Sequence, residues 1–174
     1  KQFPDHPRSN LARLYYARSL SVLEKYDQAR IEFAGYIKAE PESKETADAR
    51  YRLGECSYFL KDYPAAITQL NDYLKSHPGH SLIEWAQLLL GDSYVSVKEY
   101  DKAVEILSGI STPDSNPTIR ADAKFSLGKA LEGLKRAPEA IQQYTAVAAD
   151  KNAASAPRAL SRIGSLQYSM AQYK

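Results

Sequence analysis

Cysteine, methionine and tryptophan occur once each in this chain of 174 residues, and each scarcity removes a class of explanation. A lone Cys56 cannot close an internal disulfide. Its inward helical position reads as a small buried apolar residue rather than a reactive thiol. No apolar run approaches the roughly 18 residues of a membrane span, so no direct membrane insertion is expected. A signal-peptide pattern is missing too, and a start at Lys1 instead of Met reads as a piece excised from something longer. Charge of one sign is also lacking. The 23 basic and 21 acidic residues leave a formal net charge of +2, which gives no broad electrostatic reason to bind nucleic acid.

Chemistry-bearing motifs are equally scarce. Glycines fall singly, as packing devices, and never cluster into a phosphate cradle. Neither a nucleophile elbow nor a paired-carboxylate motif is present, and Glu24, Glu55, Glu99 and Glu132 scatter over different faces. The chain is therefore read as no enzyme, with no cofactor. One stretch invites a metal, His77-Pro78-Gly79-His80 beside Glu84. Proline and glycine set its geometry and no Cys or dense carboxylate cluster completes a ligand set, so it reads as a solvated turn. His6, in Pro4-Asp5-His6-Pro7, is read the same way.

What the chain does have is repetition. Leu53, Leu90 and Leu127 lie 37 residues apart, Ile163 follows 36 later, and a glycine (Gly54, Gly91, Gly128, Gly164) follows each by one. Ala29, Ala66, Ala103 and Ala140 repeat at 37, as do Ala12, Ala49, Ala86 and Ala123, with Ala159 next. A fixed period in this range marks a solenoid of supersecondary units. Within each unit the apolar spacing is helical. Ala49, Leu53, Cys56 and Leu60 share one face, and their counterparts are Ala86, Leu90, Ser93, Val97 and Ala123, Leu127, Ala130, Leu134. A second helix follows a short turn and begins near Asp27, Pro64, Asp101 and Pro138, residue types that suit a first turn for different reasons. Ser81 with Glu84 fits a capping box, and Asn116-Pro117 a cap followed by a first-turn proline. The joint Ser111 to Pro117 should be the least regular, because turn residues crowd there. Repeats are placed at about 10–41, 43–78, 81–115 and 117–152. The first helix of a fifth occupies 157–174, and 1–4 is the tail of a preceding repeat.

The paired Leu-Gly, the Tyr before the second helix, the Ala three residues later, the large apolar residue four after that (Phe33, Leu70, Leu107, Tyr144) and the closing Pro resemble the tetratricopeptide repeat. Two departures stand out. The family's usual Trp is replaced by Arg13, Arg50, Gln87, Lys124 and Leu160, and the period is 37 where about 34 is usual. The longer joint is similar to the repeats of bacterial envelope proteins, the Tol-Pal-associated periplasmic protein and the outer-membrane assembly lipoprotein among them.

This resemblance implies an all-α, right-handed solenoid of antiparallel helix pairs, serving as a protein–protein interaction scaffold within a larger bacterial envelope protein of the periplasm. It implies a peptide or partner helix held in the concave groove of the first helices. By register the groove carries Tyr15, Arg18, Arg52, Phe59, Trp85, Leu89 and Asp92, an aromatic and apolar band with nearby Arg, as binding hot spots have. Tyr51, Tyr58, Leu88 and Phe125, one turn aside, are read as fillers between adjacent helices. The carboxylate clamp of co-chaperone arrays is not expected, because Leu14, Arg18, Glu55, Asp92 and Lys129 put acids where bases and amides are needed. The rival reading is a purely architectural spacer that orients an attached catalytic or sensor domain. The last helix keeps Ile163, Leu166 and Met170 on one face, so self-association through Tyr168, Met170 or Tyr173 is a further expectation.

Overall fold

The computed structural model describes residues 9–172. Among them the chain forms nine helices and no strand: α1 Ser9–Val22, α2 Tyr26–Ala39, α3 Thr46–Phe59, α4 Tyr63–Ser76, α5 Ile83–Ser96, α6 Tyr100–Gly109, α7 Pro117–Gly133, α8 Ala137–Ala148 and α9 Ala156–Gln172. The expected repeat tail at 1–4, the expected turn at His6 and the expected contact at Tyr173 lie outside the described residues. Contacts divide the chain into two units, Lys1–Leu89 and Leu90–Lys174, with the boundary inside α5.

The same turn closes α1, α3, α5 and α7. Glu24, Lys61, Lys98 and Lys135 adopt left-handed backbone with φ of 57°, 61°, 65° and 60°. The amide after each one reaches back five residues, as in Lys25 to the Leu20 carbonyl and Asp62 to the Ser57 carbonyl, both at 2.9 Å. Glu99 to Tyr94 and Arg136 to Leu131 repeat that bond. These are Schellman closures, which satisfy carbonyls that the helix end would otherwise leave bare. The second helices consequently begin at Tyr26, Tyr63, Tyr100 and Ala137, one residue earlier than expected. Asp27, Pro64, Asp101 and Pro138 sit second in the helix, still inside the first turn where their chemistry fits.

Of the two expected caps one is formed. The Asn116 side chain accepts from the Thr118 amide at 3.0 Å, with Pro117 opening α7. Ser81 does not cap α5, which starts at Ile83. His80 holds that turn instead, its carbonyl accepting from the Ile83 amide at 3.1 Å and its Nδ1 from the Leu82 amide at 3.3 Å. The crowded joint is the irregular one, as expected. There α6 stops after 10 residues, whereas α2 and α4 run for 14.

Three helix pairs are locked by a glycine and a knob, while in the first pair Ala17 stands at the glycine's place and is buried in one core with Phe33. A Cβ built on Gly54 would lie 2.7 Å from Leu70 Cδ2, on Gly91 2.5 Å from Leu107 Cδ2, and on Gly128 2.5 Å from Tyr144 Cε1. Only a bare Cα leaves room for these knobs, which offsets the roughly 1 kcal/mol that glycine costs inside a helix. Ala29, Ala66, Ala103 and Ala140, four residues before the knobs, are fully buried. In the first unit Leu14, Ala17, Leu20, Phe33, Tyr36 and Cys56 form a continuous core. Burial raises the Cys56 thiol pKa, so the thiol stays protonated and serves as packing. Tyr51 and Leu88 are buried fillers, as expected.

Candidate functional site

In the first unit, α1 and α3 lie side by side with the start of α2 beneath them. Phe59 comes from the end of α3 and Tyr26 from the first position of α2. Their rings stack with centroids 4.8 Å apart and planes 19° apart. Phe59 stays 48% exposed. The stacked pair walls a cavity of about 420 Å3 that is completed by Arg18, Ser21, Val22, Arg52 and Glu55. A second hollow, lined by Tyr15, Arg18, Ser19, Val22 and Leu23, shares Arg18 and Val22 with it. Tyr15 is 56% exposed and Val22 83%, a large apolar surface on one helix flank.

Both arginines of this cavity are already engaged. Arg18 reaches from α1 to Asp48 of α3 at 2.8 Å. Arg52 pairs with Glu55 at 2.8 Å and approaches Asp48 at 3.7 Å. Arg18 also lies 5.6 Å from the centroid of the Tyr15 ring. The charged wall is thus neutral in sum and held in place by its own ion pairs, while the rings and Val22 remain open. A guest would meet apolar surface first, and its burial would contribute more than any exposed ion pair.

The site residues expected from sequence divide unequally. Arg18, Arg52 and Phe59 meet at one cavity, and Tyr15 at the adjoining one. Trp85 is half-buried and lines neither. Leu89 is a correction: it is only 9% exposed, so it packs inward and offers no surface. Its register partners are Arg52, which stays at the surface in ion pairs, and Ser126, which is buried and donates to Asp92; the apolar leucine at that place buries itself too. Asp92 belongs to the second unit, where it accepts from Ser126 Oγ at 2.6 Å and from Lys129 Nζ at 3.3 Å. Sequence reasoning missed Tyr26. Its signal was visible, since Tyr63 and Tyr100 share the register, but it was taken only as a mark of the repeat.

The second unit carries its own cavity of about 620 Å3, between Tyr100, Phe125, Lys129, Glu132, Arg158 and Arg162. Glu132 accepts from the Tyr144 hydroxyl at 2.6 Å and is bound by Arg162. The Arg158 guanidinium lies 4.7 Å from the Phe125 centroid. Burial raises the Asp122 carboxyl pKa above its ordinary value, partly opposed by the Ser155 hydrogen bond. Among the described residues no group of three or more His, Cys, Asp or Glu side chains stands together to hold a metal. The His77–His80 turn is built otherwise. His80 Nδ1 meets the Tyr73 hydroxyl at 2.7 Å, and the two imidazoles flank the Tyr73 ring.

The profile of the YfiO outer membrane lipoprotein family matches residues 14–173. This chain belongs to that family. No curated protein is a significant match to it. Among solved structures it is similar to MamA of AMB-1, with a TM-score of 0.74 and 22% identity over 93% of this chain and 82% of that one. The apo form of RapI gives a TM-score of 0.74 at 13% identity over 92% of this chain and 48% of RapI. A Podospora anserina protein described as a kinesin light chain with nearly identical TPR-like repeats gives 0.71 at 14% identity over 97% and 90%. This family member therefore spans about half the length of RapI. At these identities the likenesses show the fold, an all-α solenoid of tetratricopeptide-type helix pairs. No described helix is long and apolar enough to cross a membrane.

Proposed function

We propose that this chain is a protein-interaction scaffold of the bacterial cell envelope, and that its first unit holds a peptide or partner helix against α1 and α3. One observation carries the reading: an exposed aromatic stack, Phe59 on Tyr26, opens onto a cavity whose arginines are already neutralised by Asp48 and Glu55. Such a surface rewards a large apolar side chain inserted beside Phe59, with Tyr15 and Val22 taking a second one. Aromatic anchors in a pocket rimmed by fixed polar groups are where binding energy concentrates. Membership of an outer membrane lipoprotein family supports placement at the envelope.

The test is a photoreactive benzoylphenylalanine placed at position 59 and, as a control, at exposed Ile31 of α2, in cells of the native host. The expected result is a discrete protein adduct from position 59 that position 31 does not give. Absence of an adduct at position 59, or the same adducts from both positions, would overturn the assignment.

A further inference from the structure

The cavities of the two units differ in how their cations are employed. In the first unit each arginine is matched by a carboxylate, Arg18 by Asp48 and Arg52 by Glu55. The cavity of the second unit carries Lys129, Arg158 and Arg162 against Glu132 alone. Glu132 is spent, because Arg162 and the Tyr144 hydroxyl both hold it. Lys129 gives one of its three N–H donors to Asp92 at 3.3 Å, which leaves two. Arg158 is unlike the others. Its guanidinium lies 4.7 Å from the centroid of the Phe125 ring, and among the described residues it makes no ion pair and no hydrogen bond. Asp122 is near enough to feel that charge, but its Oδ1 accepts from the Ser155 hydroxyl at 3.3 Å instead.

A ring against a guanidinium steadies its plane and leaves the N–H donors along its edge. Such an edge matches a carboxylate, which can take two parallel bonds at once. Half-buried Tyr100 and Val95 line the same cavity and supply apolar surface beside the charge. We infer that this cavity docks an acidic segment of a partner polypeptide. An internal Glu or Asp side chain lies on Arg158 and Lys129, and a neighbouring apolar residue lies against Tyr100 and Val95. Charge complementarity selects this occupant. One open guanidinium with Asp92, Glu132 and Asp122 around it suits a single carboxylate and repels a dense row of phosphates, so a nucleic acid or an anionic lipid surface fits worse. The lining comes from α5, α6, α7 and α9, a trough across several helices that an extended segment can follow. This favours an internal carboxylate over a chain end. The inference does not rest on the first-unit surface, which takes apolar side chains.

The probe is a library of end-blocked decapeptides built from Glu, Phe, Leu, Ser and Gly. It is sorted for members that bind the whole 174-residue protein and not its Arg158→Gln variant, and these are titrated by fluorescence anisotropy. Arg158 is exposed, so that variant should keep the parental melting temperature. The sorted peptides should carry a Glu beside Phe or Leu, and their affinity should fall as salt rises. Changing that Glu to Gln should weaken binding about tenfold or more. Lys151→Gln, an equal loss of charge at another exposed place, should leave the affinity unchanged, and so should Phe59→Ala, which keeps this site distinct from the first-unit surface. The proposal is overturned if no peptide separates the parent from Arg158→Gln, if the Gln peptide binds as well as the Glu peptide, or if Phe59→Ala abolishes the same binding. It is equally overturned if a free C-terminal carboxyl restores the Gln peptide, or if phosphatidylglycerol vesicles bind the parent, and not Arg158→Gln, while every peptide stays unbound.

Discussion

Two repeats apart, the same register position holds Phe59 in the first unit and Gly133 in the second. Phe59 stacks on Tyr26 and leaves a cavity beside the stack. At Gly133 the ring of Tyr100, the register partner of Tyr26, lies directly over the bare Cα. One position thus makes an aromatic wall in one unit and a seat for the neighbouring tyrosine in the other. The joints differ as well. In the first unit a tyrosine hydroxyl latches each joint, Tyr36 to Ser43 Oγ at 2.9 Å and Tyr73 to His80 Nδ1 at 2.7 Å. Ile110 and Val147 take those register places in the second unit and are buried as plain apolar contacts. The repeat therefore constrains how helices pack, and leaves the edges of that packing free to diverge.

The largest effect should come from breaking what the units share. Gly128→Leu forces a side chain into the space of the fully buried Tyr144, and Gly54→Leu does the same to Leu70. Each should cost about 3 kcal/mol or more through overpacking, measured by urea unfolding. A smaller change would mean the knobs have room to move.

The latches should separate the units. Tyr73→Phe keeps the ring and removes the hydroxyl that meets His80, for a loss of about 1 kcal/mol. At the counterpart, Val147→Ala removes two buried methyl groups and no hydrogen bond, so its loss comes from packing alone. If Tyr73→Phe melts with the parent, the latch contributes nothing beyond ring burial.

The left-handed turns should respond alike in both units. Lys61→Gly and Lys135→Gly relieve a backbone conformation that a side chain disfavours, and each should stabilise by about 0.5–1 kcal/mol. A loss in either would show that the lysine stem packs usefully over the turn.

The smallest effect is one of pH and belongs to the first unit. Burial, then Arg50 and His80, depress the His77 pKa below the ordinary imidazole value of 6.5, and its Nε2 is buried without a hydrogen-bond partner. The fold favours neutral His77, so this contribution is present above that value and is lost as pH falls below it toward the depressed one. The melting temperature should drop between pH 7.5 and 5.5, and His77→Phe should remove part of that drop while keeping a ring against Tyr73. An unchanged pH profile in the variant would assign the acid sensitivity elsewhere.

The helical frame was legible because a strict period repeats every burial decision. Ala66 and its siblings, the knobs and the breaks all follow from spacing. Lys61 and its counterparts were not legible as left-handed residues, since glycine is the usual sign and lysine gives none. Ser81 misled because a capping pattern was present while the chain spent that turn on His80. Leu89 misled for another reason. Register assigns a direction to the Cβ, but a leucine beside other apolar groups gains by folding inward where Arg52 gains by pairing with Glu55. Of the candidate site, the residue types at Tyr15, Arg18, Arg52 and Phe59 were readable. The Arg52 pairs with Asp48 and Glu55 lie within one helical turn, whereas the Arg18–Asp48 pair and the Tyr26–Phe59 stack join residues about 30 apart in sequence and came only with the fold.

The claim that the first unit, through Phe59, is the binding surface is tested most directly by affinity. A peptide selected from an apolar-rich library against the parental protein would be titrated into Phe59→Ala and into Tyr100→Ala, which removes the ring lying over Gly133, the counterpart of Phe59 in the second unit, with helix content checked for both. The account predicts that Phe59→Ala weakens binding by about 2 kcal/mol, roughly thirtyfold, and that Tyr100→Ala leaves it unchanged. Parental affinity in a fully helical Phe59→Ala protein would contradict it.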